Sequence, residues 1–283
     1  MVENMVKEWK RMRKEEPSAT EKKAAAVRKV HCVNTKFESG LAKQLIFIEC
    51  PHNNEEDLAF ILKAMESYSA DKTLFVEQGS PRQKDYYLAR IKEIAKNDPR
   101  IEWDFQEDLS IWEDLMAIDD PFAKASDHII TKVRGNVVNM DPAASLSQET
   151  IDYFLQECTR EFALEMIYDA VKYVCYDPQN TAPRIMKALL PQFYEEDIEW
   201  ACWQLHWTYR NRDRKWERDD ETRKRKTFLR ERYMRLMLEK YAKDGDYVLC
   251  HPHHAQKIIK PKDEVEIPPE PELLFHFSWR RKK

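Results

Sequence analysis

Apolar and polar positions divide the first 165 residues into short β-type runs and helical stretches. "QLIFIEC" (44–50) and "KTLFVEQ" (72–78) are apolar runs of strand length, rich in residues that favour a pleated surface. Between them Leu58, Ile61, Leu62 and Met65 recur at i, i+3, i+4 and i+7 behind an Asn53/Glu56 cap signal, which predicts an amphipathic helix. A second helix is predicted over 81–96. Ser80 caps it, Pro81 opens it, and Tyr87, Leu88, Ile91, Ile94 and Ala95 form its apolar stripe. Asn97-Asp98-Pro99 ends that helix, because a residue before proline is pushed out of the α region. Ile101, Trp103 and Phe105 then alternate with polar residues as in a half-buried strand. Residues 107–127 read as an inserted, partly helical loop, and "HIITKVRGNVVNM" (128–140) reads as a β-hairpin turning at Gly135-Asn136. Ser145 with Gln148 then predicts a capping box, ahead of a helix burying Ile151, Phe154, Leu155, Cys158 and Phe162.

From about residue 147 to 244 the pattern is helical throughout, with breaks expected at Asp177-Pro178, Pro183 and Pro191. Its last fifty residues open on acids and close on Lys240, Lys243 and Gly245, matching a helix dipole and a C-terminal cap. Fifty helical residues would be about 75 Å long, so this segment either breaks near Asp219-Asp220 or lies along partners. Residues 1–36 read as a polar arm. Residues 246–283 read as an extended, proline-rich tail tied to a neighbour through Leu273, Leu274, Phe275, Phe277 and Trp279. The division expected is thus arm 1–36, α/β domain 37–165, helical extension 166–245 and tail 246–283.

Composition narrows the chemistry. Only four glycines occur in 283 residues, and neither G-x-G-x-x-G nor G-x-x-x-x-G-K-[ST] is present, so the usual nucleotide cradles lack their backbone. No run approaches the roughly 18 apolar residues of a membrane span. Six dispersed cysteines without a C-x-x-C pair read as reduced thiols of an intracellular compartment. Five acids among the first 30 residues argue against a standard mitochondrial presequence, which is poor in acids. The net charge of −4 conceals surpluses of +4 in 1–30, +6 in 209–235 and +4 in 278–283, leaving −18 for the rest. An acidic body with basic arms suits an anionic partner such as nucleic acid, or acidic protein neighbours.

Three constellations carry candidate chemistry. Arg210, Arg212, Arg214, Trp216, Arg218, Arg223, Arg225 and Arg230 interleave arginine with aromatic residues, a pattern that binds phosphate and stacks on bases. The competing reading is a helix whose tryptophans, Trp203 and Trp207 among them, pack on the body while its arginines pair with nearby acids. Cys202 and His206, four apart on a helix, could join Cys250 and His253 in a zinc site, although the spacing is that of no named finger and a buried thiol beside a histidine-rich loop explains it as well. Glu49, Cys50 and His52 close the first strand, where α/β folds place sites, and form the only compact polar group for an enzyme.

The order strand, helix, strand, helix, strand, hairpin, helix resembles the thioredoxin fold. More narrowly, residues 72–163 resemble the thioredoxin-like family shared by proteins of the large and small mitochondrial ribosomal subunits and a small accessory subunit of respiratory complex I. "TLFVEQ", Gly79-Ser80-Pro81, Asn97-Asp98-Pro99-Arg100-Ile101-Glu102, Gly135-Asn136 and Leu146-Ser147-Gln148-Glu149-Thr150-Ile151 carry that resemblance. It departs from the family in the inserted Asp98, the order of the Gly-Asn turn, the insertion after the third strand and some 120 further residues. Aligned by the proline, Gly79 and Arg82 stand where a thioredoxin has its two cysteines, so disulfide exchange is excluded at this turn. The expected fold is therefore α/β: a redox-inactive, thioredoxin-like mixed sheet with a long α-helical C-terminal extension. The resemblance implies a non-catalytic structural subunit of a large mitochondrial assembly, the ribosome first and a respiratory complex second. Its partners would be other protein subunits and, on the first reading, ribosomal RNA, with no cofactor.

Overall fold

In a computed structural model the described residues are 28–51, 55–77, 121–142, 147–172, 178–211, 220–260 and 267–268. The fold is α/β, with a mixed five-stranded sheet and a helical C-terminal part. The chain divides into two compact units, one holding the sheet and one formed largely of helices.

In the sheet unit, β1 (Lys29–Lys36) and β2 (Ala42–Glu49) form an antiparallel hairpin. Gly40 makes the turn at φ +85°, a conformation in which its missing Cβ matters. After β2 come α1 (Glu55–Ala64) and β3 (Thr73–Val76). Next α2 (Pro121–His128) runs into a π-helical turn (Ile129–Val133), followed by β4 (Asn136–Asn139). The chain returns much later as β5 (Tyr247–Cys250) and α8 (Pro252–Ile259). Strand order is β1-β2-β5-β3-β4, with every pair except β1–β2 parallel. One core gathers Ile48, Leu74, Val76, Tyr247 and Leu249 from the strands with Ile61 and Met65 beside α1 and Phe122, Ala125 and Ile129 around α2.

Three expectations need correcting here. The 128–140 hairpin does not form: "HIITKV" completes a helix and "NVVN" pairs in parallel with β3. Its β-branched residues gave it strand propensity, but Phe122, Ala125 and Ile129 bury one face at helical spacing, and burial outweighs propensity. Gly135 therefore serves close approach rather than a hairpin turn, since a Cβ there would stand 2.6 Å from the Tyr68 ring. Part of the supposed arm is β1, and part of the supposed tail is β5, which lies between β2 and β3. The helix expected over 81–96 and the strand over 101–106 lie outside the described residues.

The helical unit contains α3 (Gln148–Glu157), α4 (Arg160–Lys172), α5 (Pro178–Leu189), α6 (Glu195–Asn211) and α7 (Asp220–Tyr241) up to Leu236. Pro178 opens α5, as its fixed φ allows. The cap of α3 is Ser147, accepting from the Thr150 amide at 3.2 Å, and Ser145 of the expected capping box lies outside the described residues. Tyr153 donates to the Leu229 carbonyl (3.0 Å), and Tyr233 shares a hydrogen bond with Thr150 (2.8 Å), which locks α3 against α7. The long basic segment is two helices, α6 ending at Asn211 and α7 starting at Asp220.

Candidate functional site

Side chains alternate between the two faces of a strand, so Glu49 and Cys50 diverge. Cys50 enters the core and its thiol meets Asp57 (Sγ–Oδ1 3.5 Å), which in turn accepts from Arg28 (2.8 Å). His52 lies outside the described residues, so of the triplet read from sequence only Glu49 and Cys50 can be placed.

A different row forms instead at the carboxyl ends of three adjacent parallel strands. The register pairs Glu49 of β2 with Cys250 of β5, and Val76 with Leu249 brings Glu77, the residue after β3, level with Cys250. Glu49, Cys250 and Glu77 are all buried. His31 of β1 faces Glu49 (Nε2–Oε1 2.5 Å) and His254 of α8 faces Glu77 (3.2 Å), while the second Glu77 oxygen accepts from the His251 amide (3.0 Å). His251 in turn caps α8, its side chain accepting from the His253 amide. "LIFIE", "TLFVE" and "YVLCH" each end a buried strand on a polar residue, and that shared ending was the legible signal. What sequence could not supply was the adjacency of β5 to both other strands.

The two buried thiols of this unit, Cys50 and Cys250, are held protonated. Burial first, then the Asp57 carboxylate, pushes Cys50 up to about 12, and burial with Glu77 and Glu49 pushes Cys250 well above its ordinary value. In the helical unit burial raises Cys202 to about 12. Native alkylation at pH 8 is accordingly expected to label exposed Cys32 rapidly and these three only on unfolding, as read by mass spectrometry. Unfolded thiols ionise near pH 9 whereas the folded ones keep their proton, so their contribution is intact below pH 9 and is lost as pH rises toward 12. Relative to Cys202→Ala, the wild type should lose about 1.4 kcal/mol more stability per pH unit between pH 9 and 11, measured by urea unfolding.

The four zinc candidates are divided between the two units. Cys202 and His206 belong to α6 of the helical unit, Cys250 and His253 to the sheet unit, and among the described residues no three or more His, Cys, Asp or Glu are placed to hold a metal ion.

The basic helix divides in two. Arg212, Arg214, Trp216 and Arg218 lie outside the described residues, and of Arg210 only the backbone, within α6, is described. Along α7, Arg230 grips Asp141 through two bonds (3.1 and 2.7 Å), and Arg225 donates to the carbonyls of Glu157 (3.2 Å) and Pro268 (3.3 Å). Arg232 reaches the Glu157 carboxylate at 2.5 Å. Lys226 sits between Asp169 (2.6 Å) and Glu165 (2.8 Å). Burial alone would lower the Lys226 ammonium, but those two carboxylates outweigh it and raise it above the ordinary lysine range. Arg223 is exposed. Arg225, Lys226, Arg230 and Arg232 thus engage groups of their own unit, whereas the packing reading pairs the arginines with Asp213, Glu217, Glu221 and Glu231 and packs the tryptophans on the body.

The tryptophans do the opposite of that reading. Ile198, Ala201, Cys202 and Leu205 of α6 are buried, whereas Trp200, Trp203 and Trp207 are 41%, 54% and 55% exposed. Sequence gave the helix and its aromatic content, but a tryptophan stripe ordinarily marks the buried side. Truncation of Trp203 or Trp207 to alanine is therefore expected to lower stability by less than about 1 kcal/mol, where a core tryptophan would cost about 3–5 kcal/mol.

The chain matches no family model, no curated protein and no solved structure. Among the described residues no helix is long and apolar enough to cross a membrane.

Proposed function

We propose that the chain is a non-catalytic subunit that docks protein neighbours within a larger assembly. The observation that carries this reading is the tryptophan face of α6, where Trp203 and Trp207 are more than half exposed and Trp200 is 41% exposed on a helix whose other face is packed. Clustered exposed aromatics are the usual mark of a protein-binding surface. The engaged cations of α7 favour protein over RNA as the neighbour of that helix, because an arginine already gripping a carboxylate has less to offer a phosphate. The mitochondrial ribosome and the respiratory complex implied by the sequence resemblance are the first two assemblies in which to look.

Gradient sedimentation of cell extracts tests the proposal. The wild type is expected to travel well ahead of the free chain, and Trp203→Ala/Trp207→Ala to fall back to the free position with an unchanged circular dichroism spectrum. A double variant that still travels with the wild type sinks the reading. Ribonuclease treatment before the gradient distinguishes a ribonucleoprotein, which it collapses, from a protein complex.

A second reading is favoured by the row His31, Glu49, Cys250, Glu77 and His254: buried carboxylates facing imidazoles at strand ends suit acid–base chemistry. Glu77→Gln discriminates. In a structural network the substitution lowers the melting temperature by weakening the His254 and His251 contacts, whereas in a reactive site it characteristically raises stability.

A further inference from the structure

At 100° and 1.5 Å per residue, Glu196, Trp200, Trp203 and Trp207 of α6 fall within an arc of about 60° and span about 16 Å along the helix. The buried residues Ile198, Ala201, Cys202 and Leu205 occupy the opposite side. Within Glu195–Trp207 there are four carboxylates (Glu195, Glu196, Asp197 and Glu199) and no lysine or arginine. Lys187 of α5 meets two of them, at 3.6 Å from Glu195 and in close contact with Glu199, and Glu196 lies exposed within the aromatic stripe itself. Glu195, Glu196 and Glu199 are exposed beside the aromatic stripe.

Indole faces carry negative potential and attract cations, arginine above all, and nearby carboxylates add a directional hydrogen-bonding partner for a guanidinium. A purely apolar occupant would take the exposed Glu196 carboxylate out of water without giving it a cation, and an acidic one, RNA included, would meet like charge. We infer that the Glu196–Trp200–Trp203–Trp207 stripe receives an arginine- or lysine-bearing segment of a partner protein, its cations stacked on the indoles and its leading charge on the acidic turns. This assignment rests on the docking reading above and gives it a partner chemistry.

The test is calorimetric titration of the full chain at 0.15 M salt with two synthetic twelve-residue peptides. One carries four arginines among leucines, and the other has each arginine replaced by neutral citrulline. Expected is binding of the arginine peptide at least roughly tenfold tighter than that of its citrulline counterpart. Trp203→Ala/Trp207→Ala should weaken it by roughly tenfold and Glu196→Gln by about threefold, with folding unchanged. Equal binding of both peptides overturns the cationic assignment in favour of an apolar dock. Unchanged binding by the tryptophan variant overturns it by placing the cations elsewhere on the acidic body. Tryptophan-dependent binding of a uridine dodecamer assigns the face to RNA, and tryptophan-dependent self-association assigns it to a second copy; either overturns the inference. Release of the double variant from its assembly while the wild type ignores both peptides leaves the docking reading standing and removes only the cationic partner.

Discussion

A chain ending at Gly245 is expected not to form the sheet. β5 is only four residues long, yet Tyr247, Val248, Leu249 and Cys250 are all buried and bond to β2 on one side and β3 on the other. Its removal uncovers two parallel edges whose amides and carbonyls lose their partners, together with the apolar faces of Ile48, Leu74 and Val76. The same cut deletes the Asp246 carboxylate, which accepts from the amides of Thr73 (3.0 Å) and Lys243 (2.8 Å), and the buried Ala255 and Ile258 of α8. At about 1.5–3 kcal/mol for each large apolar side chain buried, four such residues represent most of the 5–15 kcal/mol that holds a typical domain together. Hydrogen exchange makes the check: protected amides in β2 and β3 of the shortened chain would show that β5 is dispensable. The point variant Leu249→Ala should cost about 2–5 kcal/mol in urea unfolding.

Arg230→Met is expected to cost about 3–5 kcal/mol, the usual penalty for removing one partner of a buried ion pair. The Asp141 side chain is fully buried and receives two of its hydrogen bonds from that guanidinium. Methionine fills much of the volume but donates nothing, leaving a carboxylate with a large unmet charge. Adding Asp141→Asn removes the charge and should recover most of the loss, giving a coupling energy of about 2 kcal/mol or more in a double-mutant cycle. A surface arginine serving RNA would behave differently: its loss would leave stability within about 0.5 kcal/mol and weaken RNA association instead. Thermal unfolding of the four proteins decides between the roles.

Local patterns were readable and distant ones were not. β2, α1 and β3 could be traced because "QLIFIEC", the Leu58–Met65 periodicity and "KTLFVEQ" each carry their burial within one element. β1 was missed because it is an edge strand with only Thr35 fully buried, so "KVHCVNTK" shows little apolar alternation. β5 was missed because "YVLC" is too short to signal alone and owes its place to strands far away in sequence. The 128–133 segment was misread because propensity and burial disagree there, and burial wins. In the candidate sites the residue types were visible, but their partners were not. Arg230 finding Asp141, and Glu77 finding His254, are facts of topology that spacing along the chain does not encode.

The central position of β5 also sets the order in which the molecule can assemble. Ile46 and Tyr247 are neighbours across a strand pair, yet about 200 residues separate them. At a synthesis rate of roughly 5–20 residues per second, β2 and β3 wait on the order of 10–40 s for the strand that joins them. During that wait both carry open apolar edges, the feature that recruits chaperones and nucleates aggregation. Refolding from denaturant faces the same closure of a long loop before any stabilising contact is made. The consecutive helices α3 to α6, each packed on the next, are therefore expected to gain protection first, and the sheet to close as the late and slow event.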